Sequence, residues 1–512
     1  MSASLHQWAI GQLDALKAPV THLVTDSRSI QPGDTFVAYP GEKIDGRQFI
    51  AQAIAQGANA VIYEKHVSGH PSATQDFVWS DAWQVPHLAV ADLRFKAGWL
   101  ADAVYGAPSE KLLVVGITGT NGKTSSSHWI AHALNEAGKR CALIGTLGNG
   151  FVDALQASAN TTPDAIRVQG LLAEYLRAGA QAIAMEVSSH ALTQGRVNGV
   201  DFDVAMLTNL SRDHLDYHGD MESYAAAKRK LFDWQQLKFV VLNFDDAYGA
   251  ELAEKFLDKD FEVIGYGLSD EALQLAERLG LRMVYGNLLE MTGQGLRLDV
   301  HSSWGAAELN SGLVGRFNAS NLLGSLAVLL VSGLALSAAA QSLSKVQPVA
   351  GRMQRLGSAK QPTVIVDYAH TPDALEKVLQ ALREVGAAAG GKLYCVFGCG
   401  GDRDRGKRAM MGVVAEKFAD FCIVTSDNPR SEDPHDIIAE IVSGMSGDTH
   451  EIMVERAAAI QSAIDRAQPN DTVLIAGKGH EDYQEIMGVK HPFSDVSVAQ
   501  QALQASPAEV RT

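Results

Sequence analysis

Between the apolar run Lys111-Leu-Leu-Val-Val115 and the segment Ser125-Ser-Ser-His-Trp-Ile-Ala-His-Ala-Leu134 stands Gly116-Ile-Thr-Gly-Thr-Asn-Gly-Lys-Thr124. The order is strand, glycine loop, helix. Glycines allow the tight turn and let backbone N–H groups point outward, and the helix that follows presents its positive N-terminal end to the same space. Such a loop is a phosphate cradle. Lys123 is placed to meet the β- and γ-phosphates of a nucleotide and the Thr124 hydroxyl to meet Mg²⁺, the roles these residue types play in a P-loop. Ile117 occupies the position of the usual first glycine, so the loop is a variant, with Gly116 and Gly119 on either side.

A cradle of this kind belongs in an α/β domain, and 512 residues are too many for one core. At ~150 residues per domain the length suggests about three. The net charge of -16 argues against a general nucleic-acid binder, whose affinity rests on Lys and Arg neutralising phosphates. Anionic ligands then need local basic pockets. Four cysteines, Cys141, Cys395, Cys399 and Cys422, form no disulfide framework or paired metal motif, which fits a reducing cytoplasm. The amino terminus lacks the basic start and apolar block of a signal peptide. Leu322 to Ala340 carries no charge and approaches the length of a membrane span, but the Ser332-Gly333 pair and the lack of a basic flank favour two buried helices meeting at a break.

Taken in order, residues 1–107 read as a small α/β domain in which turn chemistry alternates with short apolar runs. Its polar turn residues Ser27, Arg28 and Arg47 have a solvated-turn reading when considered alone. Residues 108–346 alternate strands such as Ala182-Ile-Ala-Met-Glu-Val187, Val204-Ala-Met-Leu-Thr-Asn209 and Phe239-Val-Val-Leu-Asn243 with helix-like segments, the pattern of a mostly parallel sheet. Functional residues belong at the strand ends. Glu186 ends one strand ahead of Val187-Ser-Ser-His190, and Asn209 ends another ahead of Ser211-Arg-Asp-His-Leu-Asp-Tyr-His218; carboxylate and imidazole groups there would help hold Mg²⁺, although a buried Glu or His at a strand end also serves as a satisfied structural group. Lys228 has the ordinary reading of a solvated helix lysine. Residues 347–512 restart the pattern. Three successive strands run into polar loops, Gly398-Cys-Gly-Gly-Asp-Arg403, Ser426-Asp-Asn-Pro-Arg430 and Gly477-Lys-Gly-His-Glu481, which describes a Rossmann-like domain with its ligand outside the carboxyl ends of the strands. Arg403 and Arg430 suit bidentate recognition of a carboxylate or phosphate. Residues 251–310 and the tail after Val498 carry no motif with a chemical reading.

Five motifs in order carry a resemblance: Gly116 to Thr124, Glu186-Val-Ser-Ser-His190, Asp213-His-Leu-Asp-Tyr-His218, Gly315-Arg-Phe-Asn318 and Asp367-Tyr-Ala-His-Thr-Pro372. Together they resemble the Mur ligases of peptidoglycan synthesis, in the branch that adds the third residue of the stem peptide. The likeness runs from about Val24 to beyond Glu481. It implies three domains: a small N-terminal α/β domain for the UDP-sugar, a central P-loop-type ATPase domain with a mostly parallel sheet, and a C-terminal Rossmann-like domain for the incoming amino acid. Asp427-Asn-Pro-Arg430 is similar to the signature of the meso-diaminopimelate type as against the L-lysine type, and Arg430 suits the extra carboxylate of diaminopimelate.

The resemblance also implies residue roles. Gly116, Thr118, Gly119, Thr120, Asn121, Gly122, Lys123, Thr124, Asn318, Arg352 and Asp367 would bind ATP. Ser27, Asp45, Gly46, Arg47, Asn160, Thr161, Thr162, Ser188, Gln194 and Arg196 would bind UDP-MurNAc-L-Ala-D-Glu. Arg403, Asp427, Asn428, Pro429, Arg430, Gly477 and Glu481 would bind diaminopimelate, with Glu481 accepting from an ammonium group. Thr124, Glu186, His214 and Lys228 would arrange Mg²⁺, Lys228 as a carbamate; Lys123, Lys228, His214 and Glu186 would carry the catalysis. The expected protein is a cytoplasmic, acidic monomer without membrane insertion or nucleic-acid partner. Three other readings stay open here: an L-lysine-adding ligase, a ligase like folylpolyglutamate synthase, against which the N-terminal domain and Asp-Asn-Pro-Arg argue, and a nucleotide-dependent switch.

Overall fold

A computed structural model describes residues 2–42, 44–65, 77–358, 360–387 and 390–505. Four sheets organise them. The N-terminal sheet is parallel, in the order Leu23–Val24, Thr35–Ala38, Ala60–Glu64, His87–Val90. Its strands are short, and the helices Ser2–Leu16 and Leu93–Tyr105 cover one face. Gly98 lets the second of these helices approach the next domain: a Cβ there would stand 1.8 Å from the Asn198 carbonyl oxygen.

The large central sheet has the cradle strand Leu113–Thr118 in its interior, flanked by Val204–Leu207 on one side and Ala182–Glu186 on the other, all parallel. Parallel strands covered on both faces must be apolar throughout, and these are buried along their length apart from Leu113 at the first end. The register sets Thr118 beside Leu207 and Ile117 beside Glu186, so the polar residues beyond these strands emerge at one edge. The uncharged segment after Leu322 forms no single span. Helix Arg316–Val331 is buried on nearly every side between the sheet and helix Lys123–Glu136, stops at Ser332 and Gly333 (φ +91°), and the chain resumes as Leu336–Ser344. Among the described residues no helix is long and apolar enough to cross a membrane.

Residues 251–310, which offered no motif, extend this sheet. Glu262–Gly267 continues it in parallel, and Arg282–Thr292, Gly295–Ser302 and Gly305–Ser311 close it as an antiparallel meander. The C-terminal sheet runs Gln354–Leu356, Thr363–Asp367, Thr472–Ala476, Leu393–Phe397, Phe421–Val424, His450–Ile452, antiparallel only at its first pair. A small antiparallel hairpin, Tyr483–Ile486 with Val489–Pro492, follows. Helix Asp495–Ala505 packs on helix Arg456–Arg466; of the tail after Val498, residues 506–512 lie outside the described residues. All four cysteines are free and buried.

Candidate active site

The phosphate loop is held open by contacts that only glycine allows. Gly119 (φ +144°) would drive a Cβ to 1.8 Å from Thr208 Oγ1, and Gly122 (φ +88°) to 2.5 Å from Asn321 Oδ1. Asn209, at the end of the neighbouring strand, pins the loop from outside: its Oδ1 accepts from Asn121 N–H at 3.0 Å and its Nδ2 donates to the Asn121 carbonyl at 3.0 Å. Helix Lys123–Glu136 then starts without a side-chain cap, which leaves its first N–H groups facing the cavity.

Lys123 folds back over the loop, donating to the carbonyls of Gly119 and Thr120, both at 2.9 Å. Lys228, given the reading of a solvated helix lysine on its residue type, is 1% exposed and donates to the same Gly119 carbonyl at 2.7 Å. Its helix, Met221–Arg229, turns this side chain inward beside Tyr224. Burial first, and then the Lys123 ammonium, push the Lys228 pKa well below the usual lysine value.

Glu186 is fully buried under the loop. Its Oε2 accepts from Thr124 Oγ1 at 2.9 Å and from Thr146 Oγ1 at 3.0 Å, and Oε1 accepts from Thr146 N–H at 2.8 Å. Thr146 Oγ1 lies 3.1 Å from Thr161 Oγ1, and Thr162 Oγ1 donates to the Glu186 carbonyl at 2.8 Å. Arg196 reaches the Thr162 carbonyl at 3.0 Å and Gln194 Oε1 at 2.7 Å, and Ser188 caps the helix Ser189–Thr193 by accepting from Ala191 N–H. Thr124, Glu186, Thr161, Thr162, Ser188, Gln194 and Arg196 are thereby brought into one hydrogen-bonded surface. Asn160 is exposed at its margin.

His214 adopts φ +56°, and its ring meets that of His190 edge-on at 4.8 Å. Burial, outweighing Asp213, pushes its pKa down to about 3, so the imidazole is neutral. Among the described residues no three His, Cys, Asp or Glu side chains gather as a ready metal cluster. An ion here must draw on mixed donors.

The N-terminal candidates stand apart from this surface. Ser27 and Arg47 are buried, contrary to the solvated-turn reading, while Arg28 is exposed. Ser27 donates to Gln52 Oε1 at 3.1 Å; Asp45 caps the short helix Gly46–Phe49 and clasps the Arg47 guanidinium at 2.7 Å, and Gly46 N–H bonds the Tyr39 carbonyl. Among the residues that join this domain to the centre is one the sequence reading missed: Glu42 Oε1 accepts from Tyr217 O–H at 2.8 Å and from Gln194 Nε2.

A cavity of 520 Å³ runs from the phosphate loop and Glu186 past Asn318 to Arg352, Asp367 and Tyr368, across the boundary with the C-terminal sheet. Asn318 is tied to the Val314 carbonyl, and Asp367 accepts from the N–H groups of Met353 and Ala369, each at 2.7 Å. The Arg352 guanidinium lies 4.2 Å over the Tyr368 ring, and its Nη1 is buried without a partner. An orphaned, buried cationic donor facing the cradle suits an anion. Asp213, from the central domain, takes the His370 ring at 3.5 Å and Lys407 at 3.6 Å from the C-terminal domain. Burial would raise its pKa, but the His370 hydrogen bond and the Lys407 charge hold it well below the usual carboxylate range. Arg212 forms a fork with Asp404 alongside, at 2.9 and 3.1 Å. These contacts link sites more than 150 residues apart in sequence, which no local pattern marks.

The three C-terminal loops meet. Gly401 N–H bonds the Asn428 carbonyl, Arg430 Nη1 donates to the Gly401 carbonyl at 2.7 Å, and Asn428 Nδ2 donates to Glu481 Oε2 at 2.8 Å. Arg430 itself sits at φ +51° and bridges to Ile486 of the hairpin. Asp427 is buried; burial raises its pKa, but Lys478 and Arg456 bring it below the ordinary value. Gly477 (φ +116°) leaves room for Asp427, whose Oδ2 a Cβ would meet at 2.5 Å. Arg403 is exposed and donates to the Asp402 carbonyl at 2.8 Å.

Each of the three parts of the chain matches a known domain family. Residues 19–105 match the Mur ligase family, catalytic domain; 117–329 match the Mur ligase middle domain; 351–479 match the Mur ligase, glutamate ligase domain. A UDP-N-acetylmuramoyl-L-alanyl-D-glutamate–2,6-diaminopimelate ligase of Chromobacterium violaceum is 51% identical over 503 residues, covering 98% of each chain. The chain belongs to the Mur ligase family. The same-named ligase of Nitrosomonas europaea is 50% identical over 96% of this chain and 94% of its own. A solved structure bearing that ligase name is 37% identical, with a TM-score of 0.63 over 95% of each chain. The Mur ligase fold explains the topology: three α/β domains, with the cradle in the middle one and the cavity opening toward the third.

Proposed function

We propose that this Mur ligase joins meso-2,6-diaminopimelate to the D-glutamate γ-carboxylate of UDP-MurNAc-L-Ala-D-Glu in peptidoglycan synthesis, converting ATP to ADP and phosphate. What carries the reading is the hydrogen-bond chain Thr124–Glu186–Thr146–Thr161, which makes the phosphate loop and the peptide-binding surface continuous. Phosphoryl transfer from ATP to a carboxylate needs that adjacency. The names of relatives about half identical along the whole chain support the substrates.

We assign residues 1–107 to the UDP-sugar, 108–346 to ATP and 347–512 to the amino acid. The γ-carboxylate attacks the γ-phosphorus and ADP leaves, giving an acyl phosphate; the amine of diaminopimelate attacks its carbonyl carbon, and phosphate leaves from the tetrahedral intermediate. Lys123 swings from the loop carbonyls onto the transferring phosphoryl group, and Arg352 supplies a second positive charge there. Contacts such as Arg212–Asp404 hold the C-terminal domain against the cavity, which limits water around the acyl phosphate.

Thr124, Glu186 and neutral His214 fit a divalent cation through a hydroxyl, a carboxylate and an imidazole, and a carbamate on Lys228 would add anionic oxygen. The cation would neutralise phosphate charge. Arg430 would take the distal carboxylate of diaminopimelate, with Asn428 and Glu481 on its ammonium. We place the enzyme in the cytoplasm as a monomer. The test is oxygen tracing: with ¹⁸O in the γ-carboxylate, one label must appear in the released phosphate, and its absence would remove the acyl phosphate.

A further inference from the structure

Lys478 lies between two glycines in left-handed backbone, Gly477 at φ +116° and Gly479 at φ +55°. Both need to be small: a Cβ at 477 meets Asp427 Oδ2, and one at 479 stands 2.7 Å from the Gly351 carbonyl oxygen. This doubly inverted turn directs the Lys478 side chain inward, where it is 0% exposed. Its Nζ donates to Asn428 Oδ1 at 3.0 Å and to Glu481 Oε2 at 2.9 Å, with the Tyr483 ring 5.5 Å away.

A fully buried ammonium is a poor stabiliser, since desolvation offsets much of what its partners return. What Lys478 fixes is orientation. Asn428 and Glu481 are already joined through Nδ2 and Oε2, and Lys478 closes the triangle by occupying Asn428 Oδ1 and the same Oε2. Glu485 N–H adds a second donor to Asn428 Oδ1 at 2.9 Å, so that amide has one orientation only. Glu481 then has its Oε1 left for a ligand ammonium.

We infer that Lys478 is a positioning residue that sets Asn428 and Glu481 for the incoming diamino acid. Its contacts fix the two groups assigned to the ligand ammonium, and the distal carboxylate is left to Arg430. The inference rests on the proposed amino-acid site and extends it to a residue that would not touch the substrate.

The test is a double-mutant cycle of Lys478→Met and Glu481→Gln, with wild-type enzyme assayed beside them for diaminopimelate-dependent phosphate release. The expected result is a diaminopimelate KM raised about tenfold or more in Lys478→Met, KM for ATP within about twofold of wild type, and no further rise when Glu481→Gln is added. Additive effects, or an unchanged diaminopimelate KM in folded Lys478→Met, would overturn the inference. If Lys478→Met does not fold, Lys478→Arg keeps the cation but not its reach, and must raise the same KM about fivefold; no rise overturns it. A wild-type enzyme indifferent to diaminopimelate would remove the function itself, and this role with it.

Discussion

The side-chain nitrogens of Lys123 and Lys228 both lie on the Gly119 carbonyl oxygen, at 2.9 and 2.7 Å. Two buried ammonium groups on one acceptor repel, and burial together with the Lys123 charge lowers the Lys228 pKa well below the usual lysine value, which favours its neutral amine. A neutral amine is the form that adds to carbon dioxide. With ¹³C-bicarbonate the enzyme should therefore show a carbamate resonance that is missing in Lys228→Met. That variant should lose about 10²-fold or more in kcat, the scale of removing one electrostatic group from a reacting centre. A wild-type spectrum without the resonance would return Lys228 to a purely structural role.

The fork between Arg212 and Asp404 joins the central and C-terminal domains while Arg212 stays 39% exposed. Such a pair contributes at most about 1 kcal/mol to folding. Arg212→Ala should leave the melting temperature nearly unchanged, yet broaden the small-angle scattering profile toward open arrangements and lower kcat several-fold. An unchanged profile would mean that the other contacts suffice.

Gly98 stands where helix Leu93–Tyr105 crosses Asn198 and Gly199. A methyl group there would penetrate the Asn198 carbonyl, a backbone atom that cannot rotate away. Gly98→Ala should destabilise by about 1–3 kcal/mol or more, despite alanine's better helix propensity. Chemical denaturation decides the sign, and a stabilised variant would contradict the observed packing.

His128 and His480 are each held near pKa 4, by burial first and by the Arg352 charge second. Their unfolded value is about 6.5, so between about pH 6.5 and 4 the unfolded chain binds more protons. The stability these neutral rings contribute is whole above that window and is lost as pH falls through it. Melting temperatures recorded across this range should decline toward pH 4, and His128→Gln should flatten the decline.

What could be read from the sequence was what is local. The phosphate loop, the apolar strands that run into polar loops and the break at Ser332-Gly333 follow from spacing and turn chemistry. The central sheet's antiparallel edge did not, because Arg282–Thr292 is only partly buried and its alternation is diluted by Glu290 and other exposed positions. Asp213, His370 and Lys407 escaped for another reason: their relationship exists only once two domains meet. Arg456 and Asp495 form a fully buried pair, with Arg456 also holding the Ser426 and Ala476 carbonyls, so the start of the last helix braces two of the candidate loops. Lys478 left one legible trace, its place between two glycines.

The most direct measurement is phosphate release with ATP, Mg²⁺ and UDP-MurNAc-L-Ala-D-Glu, with meso-diaminopimelate or L-lysine added separately and the product identified by mass. The expected result is strong release and a tripeptide product with diaminopimelate alone, and a large rise in its KM for Arg430→Ala. Turnover with lysine would keep the ligase and discard the role given to Arg430. Release that needs neither substrate would contradict the account as a whole.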